Sequence, residues 1–327
     1  MKRYYLVTDA MEITPNPGDI MIGKGIEYLL GSYERDRHEI PIFNYINIFN
    51  NDCIGWERCK RDADVVVICG TPQLTQGAIA DRFKNTFYDN IREIKNCGIK
   101  VLNLWVGFCF QEQNYSILGA VEKLLKHRDF IQENFSLYDM VISRDSVTNN
   151  TLEKSGIVSH QLVDSVTYAH YWYTIFSQPK VYNLFVLKAF SHQRNKRQIE
   201  LFEEIEKKSS LPCFYLVHQY SDYIELCDMV DNLVCVSTCK SLLEVYSHAS
   251  EVYSLKVHGS VVASKFGCSV LHIGIDSRSD ILNYIGAKTI TLNEFYDKKD
   301  MEPEPVSSRV LAEKDKRIFY DLYSRVE

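Results

Sequence analysis

Ser247–Gly274, SHASEVYSLKVHGSVVASKFGCSVLHIG, is the stretch from which the architecture of this chain is read. Lys256 and His258 stand two apart, just before a segment that alternates small and large residues (Gly259, Val261, Val262, Ala263, Phe266). Gly267 closes that segment, and the β-branched and apolar run Ser269–Ile273 follows. The pattern predicts loop, helix, turn and buried strand. A cation and an imidazole then stand at a helix N-terminus, where backbone N–H groups and the helix dipole favour an anion. A lone Lys-x-His pair also fits a solvated lysine beside a structural histidine, so its weight depends on the rest of the chain.

At 327 residues the chain exceeds what one hydrophobic core usually serves, and two domains of roughly 150 residues each are expected. Apolar residues make up 46% and charged residues 24%, the balance of a globular protein. The net charge of −6 and the lack of a basic stripe argue against a nucleic-acid partner. There is no apolar run of 18 residues or more and no signal-peptide core. The expectation is a cytoplasmic protein, or one peripheral to the inner face of the membrane. The ten cysteines include no Cys-x-x-Cys pair and lie mostly in apolar runs. They read as core residues of a reducing compartment, and no metal site is expected.

Along the chain, Arg3–Thr8 reads as a strand, 11–19 as an irregular loop with two prolines and a glycine, and Ile20–Leu30 as a helix. Asp62–Gly70 and Lys100–Gly107 are buried strands that each stop at a glycine. Those glycines either bring backbone close to a ligand or start tight turns. A single amphipathic helix near Ala120–Glu133 precedes the strand Tyr138–Ser143, and Arg144-Asp145-Ser146 opens another helix. The composition turns aromatic around 164–173, the expected crossover. Alternation then resumes with a strand at Tyr182–Lys188, a helix near Lys196–Lys208, strands at Cys213–Val217 and Leu233–Val236, a loop at 218–222, a helix at Ser241–His248 and a strand at Val270–Ile273. These features predict two Rossmann-like α/β domains facing across a cleft, a GT-B-like arrangement, over residues 1–175 and 176–327. A last helix in 306–327 is expected to pack back on the first domain.

The order of motifs resembles the polysaccharide pyruvyl transferase family over roughly residues 10–290. Asn16-Pro17-Gly18-Asp19 is similar to its early Asn-x-Gly-Asp motif, Ala63–Gly70 to its apolar strand and glycine turn, and Ser143-Arg144-Asp145-Ser146 with Leu152 and Gly156 to its Arg-Asp helix. Asp164 matches the aspartate near the crossover. Ser254–Gly259, with Ala263, Gly267 and Asp276, is similar to the Arg-Leu-His-x-x-x-x-Ala segment and its sequel. This chain departs from the family in carrying Lys256 and Lys188 where arginines are usual, and Thr71 for the second glycine of the turn. Lysine is a point charge and arginine a bidentate fork, so the exchange matters at an anion site.

The resemblance implies transfer of a pyruvyl unit from phosphoenolpyruvate, as co-substrate and with no cofactor, to two hydroxyls of a sugar or lipid-linked oligosaccharide, forming a ketal. That chemistry needs cations for the donor, an acid for its methylene and a base for the acceptor. His258 is the candidate acid and Asp19 the base, an acceptor-orienting group or a helix N-cap. Lys256, Lys188 and His218 are candidate donor contacts, and Asn16, Gly18, Gly70 and Gly107 are acceptor or loop positions. Arg144 reads as a buried ion-pair partner. Two other readings stay open: a GT-B glycosyltransferase with a nucleotide-sugar donor, and a non-catalytic sugar- or anion-binding protein.

Overall fold

Strands such as Tyr4-Tyr5-Leu6-Val7 and Val65-Val66-Val67-Ile68 are apolar on both faces and need cover on both sides. The computed structural model describes residues 1–8, 16–47, 52–75, 78–80, 83, 86–110, 116–236, 238–306 and 308–327. Those strands form the middle of a parallel six-stranded sheet. Its order is Pro41–Asn47, Lys2–Thr8, Val65–Cys69, Lys100–Val106, Met140–Ser143, His160–Gln161. A second parallel sheet runs Leu233–Cys235, Cys213–Val217, Tyr182–Val186, Ala249–Ser254, Ser269–Gly274, Lys288–Thr291. Glu304–Pro305 joins it antiparallel to Ser269–Gly274. A small third sheet pairs Leu74–Thr75 with Ala78–Ile79 and Phe108–Cys109. The two large sheets are the two Rossmann-like units expected.

In each sheet the strand order reverses beside its first strand, and in open α/β sheets ligands bind outside the carboxyl ends of strands at such a point. In the first sheet the reversal lies between Lys2–Thr8 and Val65–Cys69, which places the start of the following helix and Gly70 there. In the second it lies between Tyr182–Val186 and Ala249–Ser254, which lead into Lys188 and into Lys256 and His258.

Several sequence-based expectations are corrected. Of the loop expected over 11–19, residues 11–15 lie outside the described residues. Asn16 is the N-cap of a helix Pro17–Asp36, its side chain accepting from the Gly18 N–H. Proline fits the first helical position because no intrahelical partner awaits its missing N–H. Asp19 is therefore in the first turn and is not the cap. The expected helix near Ala120–Glu133 is two, Ile117–Leu124 and Arg128–Phe135, joined by a 3₁₀ turn at Leu125–His127. The expected loop at 218–222 already contains the start of a helix, Tyr220–Leu226.

The largest correction is at Ala249–Ser254, a central strand where a loop was expected. Its Glu251 hid it. The carboxylate accepts from Asn183 Nδ2 at 3.1 Å, and the Glu251 N–H donates to Asn183 Oδ1 at 3.1 Å, so a polar pair joins neighbouring strands.

The helix Arg309–Val326 lies against the first half. Phe319 faces Trp105 with ring centroids 5.5 Å apart, Tyr323 and Tyr4 share a 2.7 Å hydroxyl contact, and Asp315 Oδ2 accepts from the Val163 N–H at 2.7 Å. Asp315 also accepts from Tyr284 Oη of the second half at 3.1 Å. One apolar cluster extends from Tyr4 and Trp105 through Val261 and Val262 to Phe319 and Tyr323.

Candidate active site

Two helix N-termini meet at the carboxyl edges of the sheets. The Pro17–Asp36 helix brings Gly18 so close to the Val257–Lys265 helix that a Cβ on Gly18 would stand 2.2 Å from Nδ1 of His258. Only glycine leaves room for the imidazole. The Val257–Lys265 helix has Lys256 as its N-cap residue and no side-chain cap, so N–H groups of its first turn are left to whatever lies in front. Two positive helix ends thus converge on one place.

Charged side chains gather around it. His258 is 12% exposed, and its Nε2 lies 3.8 Å from Oδ2 of Asp164. Arg144, 2% exposed, brings Nη1 within 3.9 Å of the same oxygen. The guanidinium fits because residue 107 is glycine: a Cβ there would lie 2.5 Å from Nε of Arg144. Just before Gly107 the strand kinks. Trp105 has φ of 57°, the register against Met140–Ser143 shifts, and the indole donates to the Val163 carbonyl. A bulky residue in the left-handed region stores strain, a frequent mark of functional edges. Burial first, then Arg144, Arg278 and His218, hold the His258 pKa well below the usual histidine value, with Asp276 opposing. Burial pushes the Asp164 carboxyl up against the pull of Arg144.

The second half supplies the cations. Lys256 forms a 2.6 Å ion pair with Asp222, and Gln219 lies 3.4 Å away. Its charge is largely met within the protein. Lys188 is partly buried, lies over Phe190, and makes no ion pair among the described residues. Burial lowers its pKa, as do the neighbouring Lys256 and Arg278. Arg278 grips Asp276 through Nε and Nη2 at 2.9 and 2.6 Å. Here the halves also touch through backbone: the Phe110 N–H donates to Ser277 Oγ, the Ser277 N–H donates to the Phe110 carbonyl, and the Ser146 N–H donates to Asp280.

The candidate residues thus separate into groups. Asn16, Gly18, Asp19 and His258 converge; the Asn16 side chain donates to Asp19 at 2.9 Å. Lys188 and Lys256 form a second group beside them. His218 is buried behind Gly259, its Nε2 sharing a 2.9 Å contact with the Tyr246 hydroxyl, and burial holds its pKa down to about 3. Gly70, at φ 56°, makes a turn and gives room to Ile22, whose Cγ2 would lie 2.4 Å from a Cβ there. Gly107 gives room to Arg144. Arg144, Asp164, Asp276 and Arg278 join the site without having been chosen for it. Arg144 directly follows Met140–Ser143, Asp164 and Asp276 cap the 3₁₀ turns Ser165–Tyr168 and Ser277–Ser279, and Arg278 stands within the second turn; those positions were the available signal.

No protein-family model matches this sequence, and no curated protein matches it. Among solved structures, the chain superposes on MnaA of S. aureus, determined with UDP, with TM-score 0.55 and 9% identity over 97% of this chain and 91% of that one. It also superposes on a UDP-GlcNAc 2-epimerase of Methanocaldococcus jannaschii, determined with UDP-GlcNAc and UDP, with TM-score 0.53 and 11% identity over 99% of this chain and 100% of that one. The chain has the GT-B fold. At these identities the likeness is one of architecture, and it spans both sheets and the cleft between them.

Proposed function

We propose that this chain is an enzyme acting on a phosphate-bearing, sugar-linked substrate held between its two halves. The observation that carries this reading is the convergence of two helix N-termini, at Gly18 and His258, with Lys188 beside them. An uncapped helix start and a cation that makes no ion pair among the described residues suit phosphate oxygens. A neutral imidazole and a nearby carboxylate, Asp19, suit proton transfer at a hydroxyl.

A nucleotide diphosphate sugar is the first donor class, since both GT-B relatives above were determined with UDP. In a transfer from such a donor the acceptor oxygen bonds to the anomeric carbon. The bond from that carbon to the diphosphate breaks, the diphosphate leaves against Lys188 and the Val257–Lys265 helix, and the acceptor proton passes to a base. Pyruvyl transfer from phosphoenolpyruvate is the second reading. It is favoured by the contact of Asn16-Pro17-Gly18-Asp19 with His258, the two motifs that carry the family resemblance. In that reaction two sugar oxygens add to the donor's central carbon, its methylene takes a proton and phosphate leaves.

Titration calorimetry with UDP, UDP-GlcNAc and phosphoenolpyruvate, followed by product analysis with sugar acceptors, separates the two. Binding of UDP and of UDP-GlcNAc supports the first, and binding of phosphoenolpyruvate alone supports the second. Failure of all three to bind would end the reading.

A further inference from the structure

Arg144, Asp164 and His258 form an incomplete polar cluster. Asp164 is fully buried, and one of its oxygens, Oδ1, accepts from the Val166 N–H at 3.0 Å to start the 3₁₀ turn Ser165–Tyr168. Its other oxygen, Oδ2, has no hydrogen-bond partner among the described residues, nor have Nε and Nη1 of Arg144. Leaving a buried polar group unmet is costly, yet here three such atoms sit together. Nη1 of Arg144 and Nε2 of His258 are 3.9 and 3.8 Å from the same oxygen, one short closure away from hydrogen bonds. Contacts of this kind tighten when a substrate is bound.

We infer that Asp164 is a positioning residue for His258: its Oδ2 takes the Nε2–H and so leaves the Nδ1 lone pair, on the Gly18 side, to receive the proton of an acceptor hydroxyl. His258 then serves as the base. The imidazolium formed as that proton arrives is stabilised by the Asp164 carboxylate, with the Arg144 guanidinium 3.9 Å from the same carboxylate oxygen. Burial raises the Asp164 pKa, and the charge of Arg144 opposes that rise. His258 belongs to the second half and Asp164 to the first, so the base is complete only when the halves are together. The assignment rests on the proposed group transfer for its catalytic meaning, but the tautomer itself does not.

The test is the tautomer of His258, read by long-range proton–nitrogen correlation on protein labelled with ¹⁵N-histidine, with His258→Gln identifying the resonance. Wild-type protein should carry its proton on Nε2. In Asp164→Asn the side-chain oxygen stays on the Val166 N–H, which turns the amide NH₂ towards His258, and the proton should move to Nδ1. In the same variant kcat should fall by about 10²–10⁴-fold, with the donor Kd within about three-fold of wild type and the lower limb of the pH–kcat profile displaced. A wild-type Nδ1–H tautomer would overturn the assignment, as would a variant with tautomer and pH profile unchanged. If no donor is turned over, the functional reading fails, while the wild-type tautomer still decides the pairing without any variant.

Discussion

Gly18 and His258 belong to opposite halves of the chain, and a methyl group on the first would overlap the ring of the second, at 2.2 Å from Nδ1. The residue is glycine because of a partner 240 positions away in sequence. Gly18→Ala must therefore move the imidazole or part the two helices. Overpacking of this kind costs about 1–3 kcal/mol, so thermal stability should fall and turnover should drop by at least about ten-fold. Gly23→Ala in the same helix is the control. A Cβ there meets nothing within 4 Å, and it should stabilise by about 0.5–1 kcal/mol. Equal effects of the two substitutions would show that the Gly18 contact has no consequence.

Lys188 and Lys256 should part company in binding. Lys256 is held by Asp222 at 2.6 Å, whereas Lys188 makes no ion pair among the described residues. A charge-assisted hydrogen bond is worth about 1.5–3 kcal/mol, so Lys188→Ala should weaken donor binding by about 10–100-fold. Lys256→Ala should weaken it less and cost more stability, because it leaves the Asp222 carboxylate without its cation. Calorimetry and denaturant midpoints on both variants check this, and the reverse ranking would place Lys256 at the donor.

Three buried histidines, with the 12% exposed His258, set a pH dependence. Burial holds His170 and His218 down to about 3 and His272 to about 4, and His258 lies well below its usual value. In the unfolded chain each takes a proton below about 6.5. Their contribution to stability is therefore complete above that pH and is lost as pH falls through it. Asp145 acts the other way: burial raises its pKa to about 7, so the folded chain keeps a proton that the unfolded chain releases above about 3.9. His272→Gln should flatten the slope of unfolding free energy against pH below about 6 by roughly 1.4 kcal/mol per pH unit. Urea titrations at several pH values measure it, and an unchanged slope would mean that His272 is protonated in the folded chain.

The C-terminal helix should behave as part of the fold. Phe319 is fully buried between Trp105 and Tyr323, so Phe319→Ala should cost about 3–5 kcal/mol. A loss below about 1 kcal/mol in chemical denaturation would mean that this helix does not close the core.

Much of the alternating architecture was legible because the strands are near-continuous apolar runs and the helices amphipathic. The strand Ala249–Ser254 was not, because Glu251 pairs with Asn183 across the sheet, and a polar pair inside a parallel sheet breaks the run that periodicity detects. Pro41–Asn47, at the edge of the first sheet and mostly half-buried, was missed for want of the same signal. His258 and Gly18 could be singled out by pattern, but their contact could not, since it depends on how the two halves meet. Asp164 showed only as a match to the family's crossover aspartate, and Arg144 as a buried ion-pair partner. Their role in the cluster depends on burial and on unmet hydrogen bonds, which local sequence does not carry.

Whether a phosphate-bearing ligand is held between the Gly18 and His258 helix ends is decided by calorimetric titration of UDP, UDP-GlcNAc and phosphoenolpyruvate into wild type and Lys188→Ala side by side. Saturable binding of at least one of them to wild type is expected, with a loss of about ten-fold or more in the variant. Binding that is absent, or that is the same in both proteins, would contradict it.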